Sequence, residues 1–303
     1  MAEQLLMYVR INRRVDIMKT GLILEGGAMR GIYTAGVLDV FLENNISVDG
    51  VIGVSAGAIH GCSYVSKQRG RSIRYYMKLC RKWRFMSFRS LLLTGNLVNT
   101  KYCYDEIPNH LDPYDYNTFH KSETEFYVTC TNLRTGGAVY KRCTDMYNDM
   151  DWMRASASMP LVSKTVWIDG EPYLDGGVAD SIPYRAFCEL GFDRNIVVLT
   201  QVSGYQKKGS RLNNLKHAYK KYPLFRNALK NRPEIYNLEV RDIEAAEKRG
   251  EVLVIRPSRD MHVGRMDKDR RKLMAMYKLG RRDARKKLPE IKRFLSRNDP
   301  SAD

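Results

Sequence analysis

No stretch of the 303-residue chain approaches the roughly 18 uninterrupted apolar residues that a membrane-spanning helix needs. The first 20 residues carry Glu3, Arg10, Arg13, Arg14 and Asp16 and lack the apolar core of a signal peptide, so neither a transmembrane helix nor a leader is expected. Cysteine is sparse: Cys62, Cys80, Cys103, Cys130, Cys143 and Cys188 form no C-x-x-C pair and meet no histidine set of zinc-ligand spacing. That pattern excludes a zinc module and, in a chain long enough to build a normal core, makes a disulfide framework improbable. Reduced thiols and a cytoplasmic location are the expectation. Internal repeats, low-complexity tracts and a signal for the oligomeric state are missing as well. Acidic residues are absent from one long segment, Gly50 to Tyr104, while Lys67, Arg69, Arg71, Arg74, Lys78, Arg81, Lys82, Arg84, Arg89 and Lys101 all fall there.

What is present divides unevenly. With 44% hydrophobic residues the chain can bury one sizeable core and still supply a smaller second unit. The net charge is +17, yet residues 1–204 hold 23 Lys and Arg against 21 Asp and Glu, whereas residues 205–303 hold 28 against 13. The basicity belongs to the last third. Apolar periodicity predicts strands at Leu22–Glu25, Val51–Val54, Glu125–Thr131, Gly137–Lys141, Tyr173–Leu174 and Asn195–Thr200. Helices are expected at Tyr33–Glu43, Ala56–Lys67, near Asp149–Ala157 and after Pro183. This alternation implies a three-layer α/β fold, a mostly parallel central sheet flanked by helices. Beyond Lys207 the pattern becomes basic and mainly helical, with one strand at Val252–Arg256. The expected organisation is an N-terminal extension over 1–18, an α/β domain over 19–205 and a basic helical C-terminal region over 206–303. Met18 stands directly before the first strand, so the extension reads equally as an upstream start without structural weight.

Two glycine-rich turns each follow an apolar strand. The first, Leu24-Glu25-Gly26-Gly27-Ala28-Met29-Arg30-Gly31, is a candidate phosphate cradle. Set against G-x-G-x-x-G it offers Gly26, Ala28 and Gly31, so the middle glycine that lets a pyrophosphate approach the backbone is missing. The next strand does not end in an acid for a ribose, and no Gly-Lys-Ser/Thr follows for a P-loop. A dinucleotide is disfavoured, and no cofactor and no metal is expected. That next strand ends instead in Gly53-Val54-Ser55-Ala56-Gly57, a match to the nucleophile elbow. A serine on so tight a strand-to-helix turn leaves no room for side chains two residues before or after it, and the helix N-terminus favours developing negative charge. The bare motif also reads as a structural turn with a capping serine.

A serine nucleophile needs a base, and no histidine suits. His60 lies on the helix that Ser55 opens and is expected to point away; His110 and His120 sit in a polar loop; His217 and His262 read as solvated or capping residues. Asp175 does stand out: it ends a short apolar strand and is followed by Gly176 and Gly177, which let another backbone come close. An Asp-Gly hairpin turn is the competing reading.

Glu25-Gly26-Gly27-Ala28-Met29-Arg30-Gly31, Gly53-Val54-Ser55-Ala56-Gly57 and Asp175-Gly176-Gly177, in that order, resemble the three blocks of the patatin-like phospholipases. Ala155-Ser156-Ala157-Ser158-Met159-Pro160 is similar to a fourth block placed between the elbow and the Asp-Gly-Gly, and Gly31 to Leu38 fits bacterial members. The resemblance covers about residues 19–203. It implies a lipid acyl hydrolase, of phospholipase A or lysophospholipase type, with a Ser/Asp dyad. Ser55 would be the nucleophile and Asp175 its base; amides of the Gly26-Gly27-Ala28 turn, with Arg30 and Gly31, would form the oxyanion hole. Ala28 departs from the family, which usually has glycine there. An alanine N–H donates equally well provided that the position needs no positive φ. Asp175 should also be desolvated, since an ordinary carboxylate is a weak base for a hydroxyl.

Partners are less closely specified. Lys67, Arg71, Arg74, Trp83, Phe85 and Phe88 lie in the acid-free stretch, which reads as a cap resting on an anionic lipid surface or as a solvated basic helix with its aromatics turned inward. Arg270-Arg271-Lys272, Arg281-Arg282 and Arg285-Lys286-Lys287 in the tail suit membrane phosphates or plain solvation, and no nucleic-acid motif is present. The expected enzyme acts on a lipid ester in the cytoplasm, peripherally at the inner membrane face. The reading that competes with it is a membrane- or nucleic-acid-binding protein on a hydrolase-like scaffold, with Ser55 structural.

Overall fold

In the computed structural model, which describes residues 18–209 and 218–296, the expected strands and helices are realised with small shifts at their ends, and helical segments between residues 71 and 120 and a strand over 166–168, which the periodicity did not predict, are added to them. The first half runs β1 (Thr20–Leu24), α1 (Ile32–Glu43), β2 (Gly50–Val54), α2 (Ala56–Val65), α3 (Arg71–Leu79) and α4 (Phe88–Thr94). After a π-helical segment, Tyr102–Leu111, come α5 (Tyr116–His120), β3 (Glu125–Asn132), β4 (Ala138–Cys143), α6 (Met150–Ser156), β5 (Val166–Ile168) and β6 (Glu171–Asp175). The chain then forms α7 (Tyr184–Glu189), β7 (Arg194–Val198), α8 (Pro223–Arg249), β8 (Val252–Ile255) and α9 (Arg270–Ser296). His217 and most of the N-terminal extension lie outside the described residues.

One sheet orders these strands β5-β6-β3-β2-β1-β7-β8, with β4 paired to β3. The pairs β1/β2, β1/β7, β2/β3 and β7/β8 are parallel; β3/β4, β3/β6 and β5/β6 are antiparallel. β1 and β2 are buried on both faces, which is why their sequences, TGLIL and GVIGV, show no polar alternation. One core layer, built on Leu22, Leu24, Val51, Phe126 and Val128, lies beneath α1 and α2; another, around Ile23, Ile52, Phe187 and Ile243, lies beneath α7 and α8.

The basic C-terminal region is built into this sheet. β8 pairs with β7 from Asn195↔Val252 to Val198↔Ile255. α9 crosses α1 at two glycines: a Cβ on Gly36 would lie 2.2 Å from Tyr277 O, and one on Gly280 would lie 2.1 Å from Tyr33 O. The polar groups that close this contact are specific. Asp39 accepts from the Tyr277 hydroxyl at 2.7 Å, Asp283 accepts from the Tyr33 hydroxyl at 3.3 Å and from Ser258 N and Oγ, just after β8, at 2.9 and 2.8 Å, and Arg281 and Arg285 reach Glu43. Part of the basic charge of the tail is therefore spent on holding α9 against α1.

Candidate active site

The register of β3 brings the candidate residues together. β2 occupies one edge of β3 over residues 125–129 and β6 continues that edge over 130–132, because β4 takes the other side. β2 runs parallel to β3 and β6 antiparallel, so their C-terminal ends converge: Val54 stands opposite Thr129 and Asp175 opposite Cys130. Both strands must turn away at once. β6 does so at Gly176, where a Cβ would lie 2.1 Å from Thr129 O; β2 does so at Ser55.

Ser55 takes φ 53° and ψ −119°, a conformation that costs a non-glycine residue about 1–3 kcal/mol. The glycines around it are required by contact. A Cβ on Gly57 would lie 2.3 Å from Leu24 O, and one on Gly53 would lie 2.5 Å from Ala58 N. The fourth sequence block supports both candidate residues: Ser156 Oγ accepts from Ser55 N at 2.8 Å, and Ser158 O accepts from Asp175 N at 2.9 Å. Ser156 was not among the sequence-based candidates, and its place in that block was the available signal.

Asp175 is buried, and burial raises its pKa above the ordinary carboxylate value. Arg232, the Gly177 N–H (2.8 Å from Oδ1), the Ser55 side chain and Arg265 pull in the opposite direction. Asp175 thus faces Ser55 with the partial desolvation a carboxylate base requires. Among the described residues no histidine lines the cavities beside it. His60 is buried with Nδ1 2.9 Å from Ser72 Oγ, and burial pushes it down to about 3, so it is neutral. It packs beneath Gly31. His262 is exposed and paired with Asp260.

The glycine-rich turn passes over the elbow; a Cβ on Gly26 would lie 3.2 Å from Ser55 Cβ. Arg30 N donates to Gly27 O and Met29 N to Arg265 O. Among the described residues the N–H groups of Gly27 and Ala28 donate to no backbone acceptor outside the helical turn that Ala28 opens, as expected where a helical turn begins. Two expectations are corrected here. Ala28 does adopt positive φ, 49°, a left-handed conformation that costs an alanine roughly 1–2 kcal/mol; the strain is between its Cβ and the carbonyl oxygen, so the N–H can donate even so. Gly31 lies under the loop against Ala56 and His60, where a Cβ would come within 2.7 Å of Ala56 Cβ, and does not line the cleft.

Two cavities meet at Ala28, Ser55 and Met159. One, about 120 Å³, is apolar and lined by Ile59, Tyr76, Phe85, Val98, Ile107 and Met153 among others. The other is a cleft of about 920 Å³ that also reaches Ser55, bordered by Asp175, Arg30, Lys207, Arg232 and Arg265. The last three belong to the region beyond residue 205, and nothing in a segment with 28 Lys and Arg marked them out beforehand. Tyr236, on α8, donates to Glu25 Oε1 at 3.0 Å while Thr200 N donates to Oε2, so the glutamate of the first block is anchored by the same helix that carries Arg232.

The proposed lipid-surface residues separate. Arg71 and Phe85 are corrected: Arg71 is 5% exposed, bonded to Asp112 O and stacked on Tyr75 and Tyr114, and Phe85 is 7% exposed against the same aromatic cluster. Both face the apolar cavity. Arg74 is exposed but held by Asp112 through two bonds, and Trp83 is partly covered by Arg89. Lys67 is exposed, and so are Phe88, Leu92 and Leu93, at 65%, 86% and 64%.

Residues 22–187 match the family model described as Patatin-like phospholipase, and residues 222–296 match one described as Domain of unknown function (DUF6363). The Escherichia coli K12 protein YjjU, described as uncharacterized, is 29% identical over 187 residues, covering 60% of this chain and 52% of its own. Lysophospholipase nte1 of Aspergillus terreus is 26% identical over 189 residues, 61% of this chain and 12% of its own. This chain therefore spans about half or less of the length of these curated relatives. Among solved structures, VipD from Legionella pneumophila aligns with 90% of this chain and 67% of its own, at a TM-score of 0.44 and 12% identity. With the Patatin-like phospholipase match extending over more than half of its length, the chain belongs to the patatin-like phospholipase family.

Proposed function

We propose that the protein is a serine lipid acyl hydrolase that cleaves carboxylic esters through an acyl-enzyme on Ser55 with Asp175 as base. One observation carries this reading: a strained serine and a desolvated carboxyl converge where an apolar cavity meets a cleft bordered by charged side chains. An acyl chain fits the apolar side, with the rest of the ester in the cleft. Ser55 Oγ attacks the carbonyl carbon as its proton passes to Asp175, and the oxyanion receives the Gly27 and Ala28 N–H groups. The ester C–O bond then breaks, and the leaving oxygen takes the proton from Asp175. Water gives a proton to Asp175 and attacks the acyl-serine; the fatty acid departs and Ser55 regains its proton.

The exposed patch of Phe88, Leu92 and Leu93 supports peripheral contact with a lipid surface. No helix among the described residues is long and apolar enough to cross a membrane. The name lysophospholipase carried by the fungal relatives agrees with this reaction class.

The test is labelling with a fluorophosphonate and turnover of p-nitrophenyl butyrate by wild type, Ser55→Ala, Asp175→Asn, His217→Ala and His262→Ala. Labelling of wild type and loss in the first two variants alone is expected. An unlabelled, inactive wild type would refute the enzyme reading, and a loss in either histidine variant as deep as that of Asp175→Asn would refute the dyad.

A further inference from the structure

The cleft beside Ser55 holds more positive charge than the fold uses. Arg30, Lys207, Arg232 and Arg265 all border it, and among the described residues none of them has an ion-pair partner within 4.0 Å. They are close enough to oppose one another: Arg265 disfavours the charge on Arg30, Lys207 and Arg232, and Arg232 disfavours that on Lys207. Burial and these neighbours push Lys207 down to about 7. The Nε atoms of Arg30 and Arg232 are buried without an acceptor, and the Lys207 ammonium rests 3.8 Å from the centre of the Tyr236 ring.

The nearby acids do not balance this set. Glu25 is already engaged by Thr200 and Tyr236. Glu239, beside Lys207 and Arg232, is raised by burial next to Asp180, so it holds its proton more firmly than an ordinary glutamate. Asp175 is the proposed base and is itself disfavoured as an anion by burial. Arginines elsewhere in this fold have carboxylate partners: Arg74 and Arg256 meet carboxylates at 2.7–3.0 Å, and Arg71 and Arg154, whose Nε atoms are also buried without an acceptor, are still paired with Asp112 and Asp151. A buried guanidinium N–H without an acceptor is costly unless a ligand supplies one, and guanidinium forks suit phosphate oxygens.

We infer that Arg30, Lys207, Arg232 and Arg265 form a phosphate subsite, so that the C-terminal region reads the head group of the ester opened at Ser55 and favours a net-anionic phosphomonoester head over a zwitterionic one. This rests on the hydrolase reading for its substrate; the subsite itself stands on the cleft. A choline head would bring a quaternary ammonium among these cations, whereas a phosphomonoester brings two negative charges. Three of the four residues lie beyond residue 205, which gives that region a role in selecting substrate.

Three short-chain, monomeric esters test it without a membrane to attract them: 1-hexanoyl-glycerol 3-phosphate, 1-hexanoyl-glycerophosphocholine and 1-hexanoylglycerol. Each charge-assisted bond is worth on the order of tenfold in binding or more, so wild type should prefer the phosphomonoester in kcat/KM by at least about tenfold. Lys207→Gln, Arg232→Gln and Arg265→Gln should each reduce that ratio, through KM more than kcat, with Arg232→Lys retaining more of it than Arg232→Gln. Lys207→Gln, on a loop, serves if an arginine variant does not fold. Calorimetry on Ser55→Ala separates binding from catalysis: 1-hexanoyl-glycerol 3-phosphate should bind, and inorganic phosphate should compete with it. Equal turnover of all three esters, or a preference unmoved by the variants, overturns the subsite and leaves the hydrolase standing. No turnover of any ester, with binding to Ser55→Ala that the variants abolish, supports the subsite and overturns the hydrolase. Binding of inorganic phosphate with no preference among the esters overturns the head-group assignment.

Discussion

Replacing Ser55 with glycine should make the protein inactive and more stable than the corresponding alanine variant. Ser55 sits at φ 53° and ψ −119°, a region in which side chains are strained by about 1–3 kcal/mol. Alanine retains that strain and glycine releases it, at an entropic cost of about 0.5–1 kcal/mol from the freer unfolded chain. Both variants lose the hydroxyl and its contact with Asp175, and both keep the Ser55 N–H that Ser156 accepts, so those contributions cancel in the comparison. What remains favours glycine by about 0–2.5 kcal/mol, with a mid-range of about 1 kcal/mol, which corresponds to a rise in Tm of roughly 2–4 °C per kcal/mol in a domain of this size class. Differential scanning calorimetry of wild type, Ser55→Ala and Ser55→Gly reads this directly, with hydrolysis of p-nitrophenyl butyrate confirming that both variants are inactive. A Ser55→Gly protein that melts at or below Ser55→Ala would show that the elbow stores no strain and would refute the argument.

Three further outcomes are expected. Because burial raises the folded-state pKa of Asp175 above its unfolded value, its charge costs stability in full above the folded pKa, and this cost shrinks as pH falls through the folded value and is gone below the unfolded one. Asp175→Asn should therefore lose turnover by about 10²–10⁴-fold yet melt above wild type at pH 8, with the difference shrinking in acid; the acid limb of the wild-type rate should lie above the usual carboxylate range. Ser156→Ala leaves the Ser55 N–H buried without its 2.8 Å acceptor and should cost about 1–3 kcal/mol in urea denaturation, with a lower kcat; an unchanged midpoint would remove Ser156 from the support of the elbow. Gly280→Ala places a Cβ 2.1 Å from Tyr33 O and should cost about 1–3 kcal/mol, seen as faster proteolytic removal of α9.

The sequence by itself determined the local devices. Gly53, Gly57 and Gly176 are glycines because a Cβ at each would strike backbone, and an obligation of that kind is visible as spacing in a single chain. The apolar runs TGLIL and GVIGV announced a buried parallel sheet for the same reason, since strands covered on both faces have no polar side to show. Order along the chain was also enough to pair the elbow with Asp-Gly-Gly. Tertiary structure decided the rest. That β2 and β6 meet end to end on one edge of β3 depends on register across strands about 75 and 40 residues apart in sequence, which no local pattern records. Charge counting located the basic tail, but not that Arg281 and Arg285 would pair with Glu43 while Arg232 and Arg265 would border the cleft beside Asp175. Nor could the alternation of Lys67 to Leu93 say that Arg71 and Phe85 turn inward while Phe88, Leu92 and Leu93 stay outside. Spacing reports what one segment requires of itself; what a charge or an aromatic ring does depends on which distant segment the fold sets against it.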